Sequence, residues 1–379
     1  MSEYQPLGGR ILTRPVLALG FIFLIGLFFM FVRFTEGMGA ASNLNGGYAW
    51  GIWVVYDVMV GTAFACGGYA LAFLVYVFNR GQYHPLVRPA VLTSLLGYAL
   101  GGFGAFFDMG RFWQFYEIFL PWNWNFNSVM LEVGLCVSAY ILVLAIEFAP
   151  ALLERLGKKA LLRTLNKVLF LFIALGVLLP TMHQSSLGSL LIAMGHKVHP
   201  LWQVEHLHPL LALLSALIMG FSIVVFEGSV SSVGFGRRSE THLLVKLWRV
   251  LVGLLAAFLL VRFAVLGFQG KLGLILAGDF AALMFLLETA LFLVPLLILL
   301  SPAMRARGSR LLFAAVSMLL AGTLYRFNAY IITFDPGPGY GYFPSAPEIM
   351  VTLGVVALEI MAFLILVKLL PVLHREEHA

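Results

Sequence analysis

Several carboxylic acids lie within long apolar stretches of this sequence: Asp57, Asp108, Glu132, Glu147, Glu288 and Glu359. An ionised carboxylate inside a lipid bilayer is costly unless it is paired or protonated, so each acid is a candidate for proton transfer or ligand binding. Arg262, Arg326 and His183 could provide cationic partners. The structural alternative is that a buried carboxyl only fixes the register of two packed helices.

Helical spacing arranges some of these acids into polar stripes, because residues at i, i+4, i+8 and i+15 share one helix face. One stretch carries such a stripe: Glu132, Cys136, Tyr140 and Glu147. The stretch before it carries another: Ser94, Tyr98, Gly101, Ala105 and Asp108. Two polar stripes on neighbouring helices predict a route for protons through the interior of a helix bundle.

Aromatic and polar residues are concentrated where these stretches reach the predicted outer side of the membrane. A quinone site needs an apolar slot for the tail, donors to the carbonyl oxygens and a nearby proton donor. We predict that a quinone site is formed by seven residues: Trp53, Tyr56, Asp57, Asp108, Arg111, Glu132 and His183. Tryptophans at a membrane interface often act only as anchors, and this alternative stays open for Trp122 and Trp124.

The positions of the histidines argue against a haem held between helices, which needs two imidazoles facing each other. No histidine falls in the central part of a predicted membrane span. Four of them form two outer pairs: His196, His199, His206 and His208. These pairs lack the further ligands of a metal site, and Cys66 and Cys136 form no CxxC pair. We therefore expect no haem, no iron–sulfur cluster and no metal ion in this chain.

The composition places most of the chain in lipid and excludes a soluble enzyme. Apolar residues make up 61% and charged residues 11%, against about 45–50% and about 25% in soluble domains. A membrane helix needs about 20 apolar residues. Ten stretches qualify: residues 15–32, 52–78, 90–107, 128–148, 168–182, 207–226, 247–266, 280–300, 311–330 and 349–370. The predicted fold is an all-α polytopic membrane protein, with one integral-membrane domain over residues 1–379.

The basic residues predict the orientation of these spans, because Lys and Arg collect on the cytoplasmic side. With the N-terminus inside, 18 of the 24 basic residues are cytoplasmic. They are Arg10, Arg14, Arg80, Arg88, Arg155, Lys158, Lys159, Arg163, Lys167, Arg237, Arg238, Lys246, Arg249, Arg305, Arg307, Arg310, Lys368 and Arg375. Both termini are therefore predicted to be cytoplasmic, and the net charge of +6 is explained by topology without a nucleic-acid partner.

Several strings of residues resemble those of a known family of membrane subunits. They are LNGGYAWGIW (44–53), VFNRGQYHPLVRPA (77–90), LPTMHQSSLGSL (179–190), KVHPLW (197–202), AGD (277–279) and PGPGYGYFP (336–344). These strings resemble the polysulfide-reductase-type, or NrfD-like, family, and within it the membrane subunits of hydrogenase-2-type nickel–iron hydrogenases. The resemblance extends over essentially the whole chain.

The resemblance implies a haem-free subunit of the bacterial inner membrane, with two four-helix bundles flanked by the first and last spans. It implies electron exchange between menaquinone or ubiquinone and a periplasmic ferredoxin-like iron–sulfur subunit, fed by the small and large hydrogenase subunits. Quinone or proton handling would then fall on His183, Asp57, Asp108 and Glu132.

The same resemblance suggests an inward proton route through the following residues: Tyr98, Arg88, Glu147 and Glu227. With the stripe residues Glu132 and Tyr140, these form the predicted proton pathway. The chain would act as a subunit of a hydrogenase:quinone oxidoreductase, with no hydrogenase activity of its own. Two alternatives stay open from the residues: an ion or proton channel or secondary transporter that uses the same carboxylates, and a passive anchor.

Overall fold

Ten helices are long and apolar enough to cross a membrane within residues 4–236 and 241–374, which the computed structural model describes. They are α1 (Arg14–Glu36), α2 (Trp53–Val77), α3 (Gly81–Asp108), α4 (Val129–Arg155), α5 (Lys159–Ala193), α6 (Glu205–Gly234), α7 (Trp248–Phe268), α8 (Phe280–Leu300), α9 (Gly308–Ile332) and α10 (Ala346–Leu369). Each predicted span falls on one of them, so the all-α polytopic fold is confirmed. The orientation of the termini stays a prediction, and Arg237, Arg238 and Arg375 lie outside the described residues.

Short elements connect these helices. Strands β1 (Tyr4–Gln5) and β2 (Leu373–His374) pair antiparallel, with Tyr4 opposite His374. The short helices outside the ten spans are Met38–Ala41, Phe112–Phe119, Pro121–Asn123, Gly195–Lys197, Thr241–Lys246, Leu272–Leu276 and Pro302–Arg305.

Helix α5 extends well beyond the predicted residues 168–182, and this changes the position of His183. Pro180 and the polar run after it predict an end, yet the helix continues to Ala193. The run stays helical because Ser185 and Ser186 each donate a hydroxyl hydrogen bond to Met182 O at 2.8 Å. A hydroxyl satisfied within the helix does not need water. His183 therefore lies ten residues inside the helix end, about 15 Å along the axis.

Helix α2 is irregular, with π-helical turns over Trp53–Val60 and Phe73–Val77. A π-helical turn widens a helix and is frequent at functional sites. The first of these turns carries Tyr56 and Asp57.

The chain divides into two compact units, the first comprising residues up to Pro180 and from Pro338 onward. In this unit α1 packs on α10, and α3 packs against α2, α4 and α10. The crossing of α1 and α10 is close because Gly26 meets Gly354: a Cβ on Gly26 would lie 2.7 Å from Gly354 Cα. Small residues allow such close approach of membrane helices.

The second unit, Thr181–Gly337, contains α6 to α9 and the end of α5. Helix α6 contacts α7, α7 contacts α8, α8 contacts α9, and α9 returns to α6. These contacts close a four-helix bundle. The single integral-membrane domain over residues 1–379 stays a prediction.

Candidate functional site

Asp57 lies in the interior of the first unit, where it is only 3% exposed. The backbone of α3 approaches it closely because glycine occupies the contact positions. A Cβ on Gly101 would lie 2.7 Å from Asp57 O, and one on Gly104 would overlap the Asp57 side chain. Neither carboxyl oxygen of Asp57 makes a hydrogen bond within the described residues. A buried polar group without partners is costly, so this carboxyl is a strong candidate for a functional role.

The groups that act on Asp57 from neighbouring helices are Glu359 and Thr352 on α10 and Asp108 on α3. On its own helix, the Tyr56 hydroxyl interacts electrostatically with both Asp57 and Glu359. Glu359 reaches the same face of α3 farther along, because a Cβ on Gly97 would lie 3.1 Å from Glu359 Oε1. The sequence shows that Glu359 is in mid-span, but the predicted site omitted it. A helical face of glycines opposite two acids is the signal that could have found it.

Asp108 ends α3 and has a basic neighbour in Arg33 of α1. Arg33 is 1% exposed and donates to Phe107 O at 2.8 Å and to Met109 O at 2.7 Å. A cation at the C-terminal end of a helix stabilises the free carbonyls there. Arg33 therefore both closes α3 and provides Asp108 with a positive charge.

The other predicted quinone residues of the first unit have varied surroundings. Trp53 is 1% exposed, and its indole nitrogen donates to Glu348 O at 3.2 Å, which is a structural contact to the start of α10. Arg111 is exposed, and Glu132 is half-buried in the first turn of α4. The structure thus brings Trp53, Tyr56, Asp57 and Asp108 to one end of α2 and α3, while Glu132 lies on a different helix.

Glu348 holds the loop before α2 against the start of α10. Its carboxylate accepts from Ser345 N at 2.8 Å, from Asn43 N at 2.9 Å and from the Tyr342 hydroxyl at 2.6 Å. Burial raises the pKa of Tyr342, and so does this hydrogen bond to Glu348. Tyr342 also accepts from Ile52 N at 2.9 Å. These bonds fix the chain that leads into the π-helical turn carrying Asp57.

His183 belongs to the second unit, where its side chain is 1% exposed. Arg326 of α9 exerts an electrostatic influence on it. The other six predicted quinone residues belong to the first unit. A shared site with His183 therefore stays a prediction.

The second unit contains a buried ion pair between an acid and an arginine that were both candidates from the sequence but were not predicted to pair with each other. Arg262 of α7 pairs with Glu288 of α8, and the side chains are 1% and 0% exposed. Glu288 Oε2 also accepts from Trp202 Nε1 at 2.8 Å and from Asn328 Nδ2 at 2.8 Å. The three partners come from distant parts of the sequence, so spacing gives no sign of them. Glu288 is thus satisfied by neighbours, as expected of a structural acid.

Three residues of the predicted proton pathway are linked to one another. The Tyr98 and Tyr140 rings lie edge to face with centroids 4.6 Å apart, and Tyr98 Oη lies 3.6 Å from Cys66 Sγ. Glu147 acts on Tyr140 electrostatically, and its carboxylate packs directly against Gly176 of α5. Glu147 Oε1 is buried and makes no hydrogen bond within the described residues.

The remaining pathway residues lie apart from this group. Arg88 forms a two-point ion pair with Glu154, with N–O distances of 2.6 and 2.8 Å, and lies over the Tyr4 ring at 4.1 Å. This arrangement ties helix ends together and fits a structural role. Glu227 lies on α6 in the second unit, so its part in the pathway stays a prediction, as does that of Glu132. No group of three or more His, Cys, Asp or Glu side chains within the described residues could hold a metal ion.

Several known proteins are similar to this chain. The "Probable Ni/Fe-hydrogenase 2 b-type cytochrome subunit" of Escherichia coli (strain K12) is 50% identical over 97% of this chain and 95% of its own length. The "Menaquinone reductase, integral membrane subunit" of Nitratidesulfovibrio vulgaris is 29% identical over 47% of this chain and 44% of its own length. A selenate reductase subunit of Mesobacillus selenatarsenatis is 24% identical over 95% of this chain and 94% of its own length.

The name of the E. coli relative contradicts the expectation that this chain carries no haem, because a b-type cytochrome subunit implies haem. The expectation of no haem depended on a predicted end of span 5 before His183. That predicted end was wrong, because helix α5 continues to Ala193. Within the described residues, the fully buried imidazoles are His183 inside α5 and His208 in α6, both in the second unit.

A histidine that binds haem iron must offer one ring nitrogen to the metal. His208 Nε2 is hydrogen bonded to Gln203 Oε1 at 2.8 Å, whereas His208 Nδ1 makes no hydrogen bond within the described residues. Val204 N also donates to His208 Nε2, at 3.3 Å, so Nδ1 is the ring nitrogen of His208 without a hydrogen bond within the described residues. The candidate haem ligands of this unit are therefore the buried imidazoles of His183 and His208, and a haem would supply one-electron transfer.

The family is shown by a model described as "Polysulphide reductase, NrfD", which matches residues 40–333. This range includes α2 to α9 and all seven predicted quinone residues. The predicted resemblance to NrfD-like proteins and to the hydrogenase-2-type membrane subunits is therefore confirmed. The chain is a multi-pass integral membrane protein, in bacteria of the inner membrane, and it belongs to the NrfD family of polysulphide reductase membrane subunits.

Proposed function

We propose that this chain is the quinone-reactive membrane subunit of a nickel–iron hydrogenase complex. It would pass electrons between a ferredoxin-like iron–sulfur partner and menaquinone or ubiquinone. The names of the E. coli hydrogenase 2 subunit and of the menaquinone reductase subunit support this proposal. The observation that carries it is the Asp57 carboxyl, which is 3% exposed and has no hydrogen-bond partner within the described residues.

The chemistry of quinone reduction explains why such a carboxyl is useful. Reduction to a quinol takes up two electrons and two protons, so the site needs a proton donor beside the quinone oxygens. Asp57 is the donor, and Tyr56 and Asp108 lie near it at the same end of α2 and α3. A general acid must lie within hydrogen-bond reach of the atom that it protonates.

Protons would then be replaced along the interior of the first unit. Tyr98, Cys66 and Tyr140 are in contact, and Tyr140 interacts with Glu147. Glu147 lies 15 residues from Glu132 on α4, so this line crosses much of the membrane thickness. The hydrogenase subunits and their iron–sulfur partner deliver the electrons.

The test uses the intact complex with Asp57→Asn and His183→Gln variants. We expect H2-dependent quinone reduction to fall by at least about 100-fold, the usual contribution of a general acid. H2-dependent reduction of an artificial dye should not change, because the dye takes electrons before the membrane subunit. Glu36→Gln, an exposed acid at the end of α1, is the matched control.

Two outcomes would contradict the proposal. Wild-type quinone turnover in both variants would exclude the site. Ion flux through the purified chain in liposomes, without any redox partner, would favour a channel or transporter instead. A reduced-minus-oxidised spectrum of each variant shows whether any loss of turnover accompanies a loss of haem.

A further inference from the structure

We propose that Glu359 of α10 and Asp57 of α2 form a proton-relay pair that reloads the quinone site, an inference that rests on the proposed function. The pair joins the outer end of the first unit to its centre. It also assigns a role to α10. This helix lies outside the residues that the family model matches, and it carries no residue of the predicted proton pathway.

Helix α3 places the two carboxyls on one face. Gly97 and Gly104 are seven residues apart, which is two helical turns and about 10 Å. Asp57 Oδ2 lies 3.1 Å from the position of a Cβ on Gly104, and Glu359 Oε1 lies 3.1 Å from that on Gly97. Thr62 fills the level between them, with its methyl carbon 3.4 Å from a Cβ on Gly101. The two acids therefore follow one another along the glycine face of α3.

Helix α10 shows the same arrangement from the opposite side. Thr352 and Glu359 are also seven residues apart, so they share a face of α10. Thr352 acts on Asp57, and Glu359 interacts with both Asp57 and Tyr56. Since α3 and α10 pack together, the levels of Asp57 and Glu359 are matched on both helices.

Thr352 lies beside the Asp57 carboxyl on the side of α10. Its side chain is 6% exposed, and its hydroxyl interacts directly with Asp57. The hydroxyl therefore positions the Asp57 carboxyl against the helix that carries Glu359.

The charges around the pair favour retention of a proton. Asp57 is faced by Glu359 and Asp108, while the cation Arg33 acts on Asp108. Two carboxylates in one poorly solvated site do not both ionise, because like charges repel and each ion has lost its water. At least one of the two acids therefore holds a proton, which it can pass to the other.

The proposed step balances in protons and electrons. Asp57 gives its proton to an oxygen of the quinone as the partner's electrons arrive. Glu359 then returns a proton to Asp57 across the interval between them. The proton source for Glu359 would be the Tyr98, Tyr140 and Glu147 line of the same unit. Two such cycles supply the two protons of the quinol.

The decisive experiment uses the intact complex in proteoliposomes with Glu359→Gln and Glu359→Asp. We expect Glu359→Gln to lower H2-dependent quinone turnover by at least 10-fold, with partial recovery in Glu359→Asp. Dye reduction should stay at the wild-type level in both, and Glu36→Gln should behave as wild type. Turnover and proton uptake at the wild-type level in Glu359→Gln would overturn the proposal.

A second measurement does not depend on turnover. Infrared spectra of the resting complex should contain the carbonyl stretch of a protonated carboxyl, and this band should be lost or shifted in both Asp57→Asn and Glu359→Gln. A band that responds to only one of them would overturn the coupling of the two acids. If wild-type complex shows the band but no quinone reduction, the proposed function fails while the pair stands.

If the complex with Glu359→Gln does not assemble, two substitutions of Thr352 test the proposal instead. Thr352→Val keeps the shape of the side chain and removes the hydroxyl, so turnover should fall several-fold. Thr352→Ser keeps the hydroxyl and should retain turnover. Equal turnover in the two variants would overturn a relay in which the Thr352 hydroxyl positions Asp57.

Discussion

Removing the charge of Glu288 should strongly destabilise the second unit, because Glu288 is one partner of a buried ion pair. Glu288→Gln keeps the volume and one acceptor oxygen, but it leaves Arg262 as an unpaired cation that is 1% exposed. Breaking a buried ion pair from one side costs about 3–5 kcal/mol. The new amide must also satisfy Trp202 Nε1 and Asn328 Nδ2, which both donate to Glu288 Oε2.

The matched control is the Arg88–Glu154 pair of the first unit. Its side chains are each 22% exposed, so water screens the charges. A partly solvated pair contributes less than a fully buried one, and Glu154→Gln should therefore cost clearly less than Glu288→Gln. The two substitutions are chemically identical, so the difference between them isolates the effect of burial.

The assay is the free energy of unfolding in detergent micelles, followed by tryptophan fluorescence. A double-mutant cycle with Arg262→Met separates the pair energy from the loss of the other hydrogen bonds. Arg262→Met should recover part of the loss in Glu288→Gln, because it removes the stranded cation. Equal losses in Glu288→Gln and Glu154→Gln, or no recovery in the cycle, would refute the reasoning.

Two further predictions concern packing and pH. Gly26→Ala should destabilise the first unit by about 1–3 kcal/mol, because the new Cβ would lie 2.7 Å from Gly354 Cα. Gly20→Ala on the same helix should be tolerated, because the new Cβ would meet only Met361 Sδ, at 3.8 Å. The measurement is the midpoint of thermal unfolding, and equal midpoints in the two variants would contradict the prediction. Burial lowers the pKa of His199, so protonation favours the unfolded state, and stability should fall as the pH drops below the ordinary histidine pKa of about 6.5. The slope of stability between pH 7 and pH 5 should be smaller in His199→Gln, and an unchanged slope would refute this assignment.

The sequence predicted the ten spans because a membrane helix must be apolar over a fixed length. Span 8 was predicted at residues 280–300, and the helix covers Phe280–Leu300. Span 5 was predicted much too short, because the residues around His183 are polar. Their hydroxyls bond back to the helix, and hydropathy does not detect bonds of this kind.

The sequence also identified which acids lie in the membrane, but their partners depended on the tertiary structure. Glu288 and Glu359 have the same appearance in sequence: each is a single acid in the middle of an apolar span. The fold gives Glu288 an arginine, a tryptophan and an asparagine as partners, whereas it places Glu359 near Asp57. This difference decides which acid is structural and which can carry a proton.

The sequence alone therefore determined that this is a polytopic α-helical membrane protein, and its motifs indicated the NrfD family. Both follow from local properties, namely the length of apolar runs and the order of residues in short strings. Only the tertiary structure decided that the glycine face of α3 admits both Asp57 and Glu359, two helical turns apart. The physical reason is that the charge state of a buried acid depends on neighbours that packing, and not chain order, brings to it.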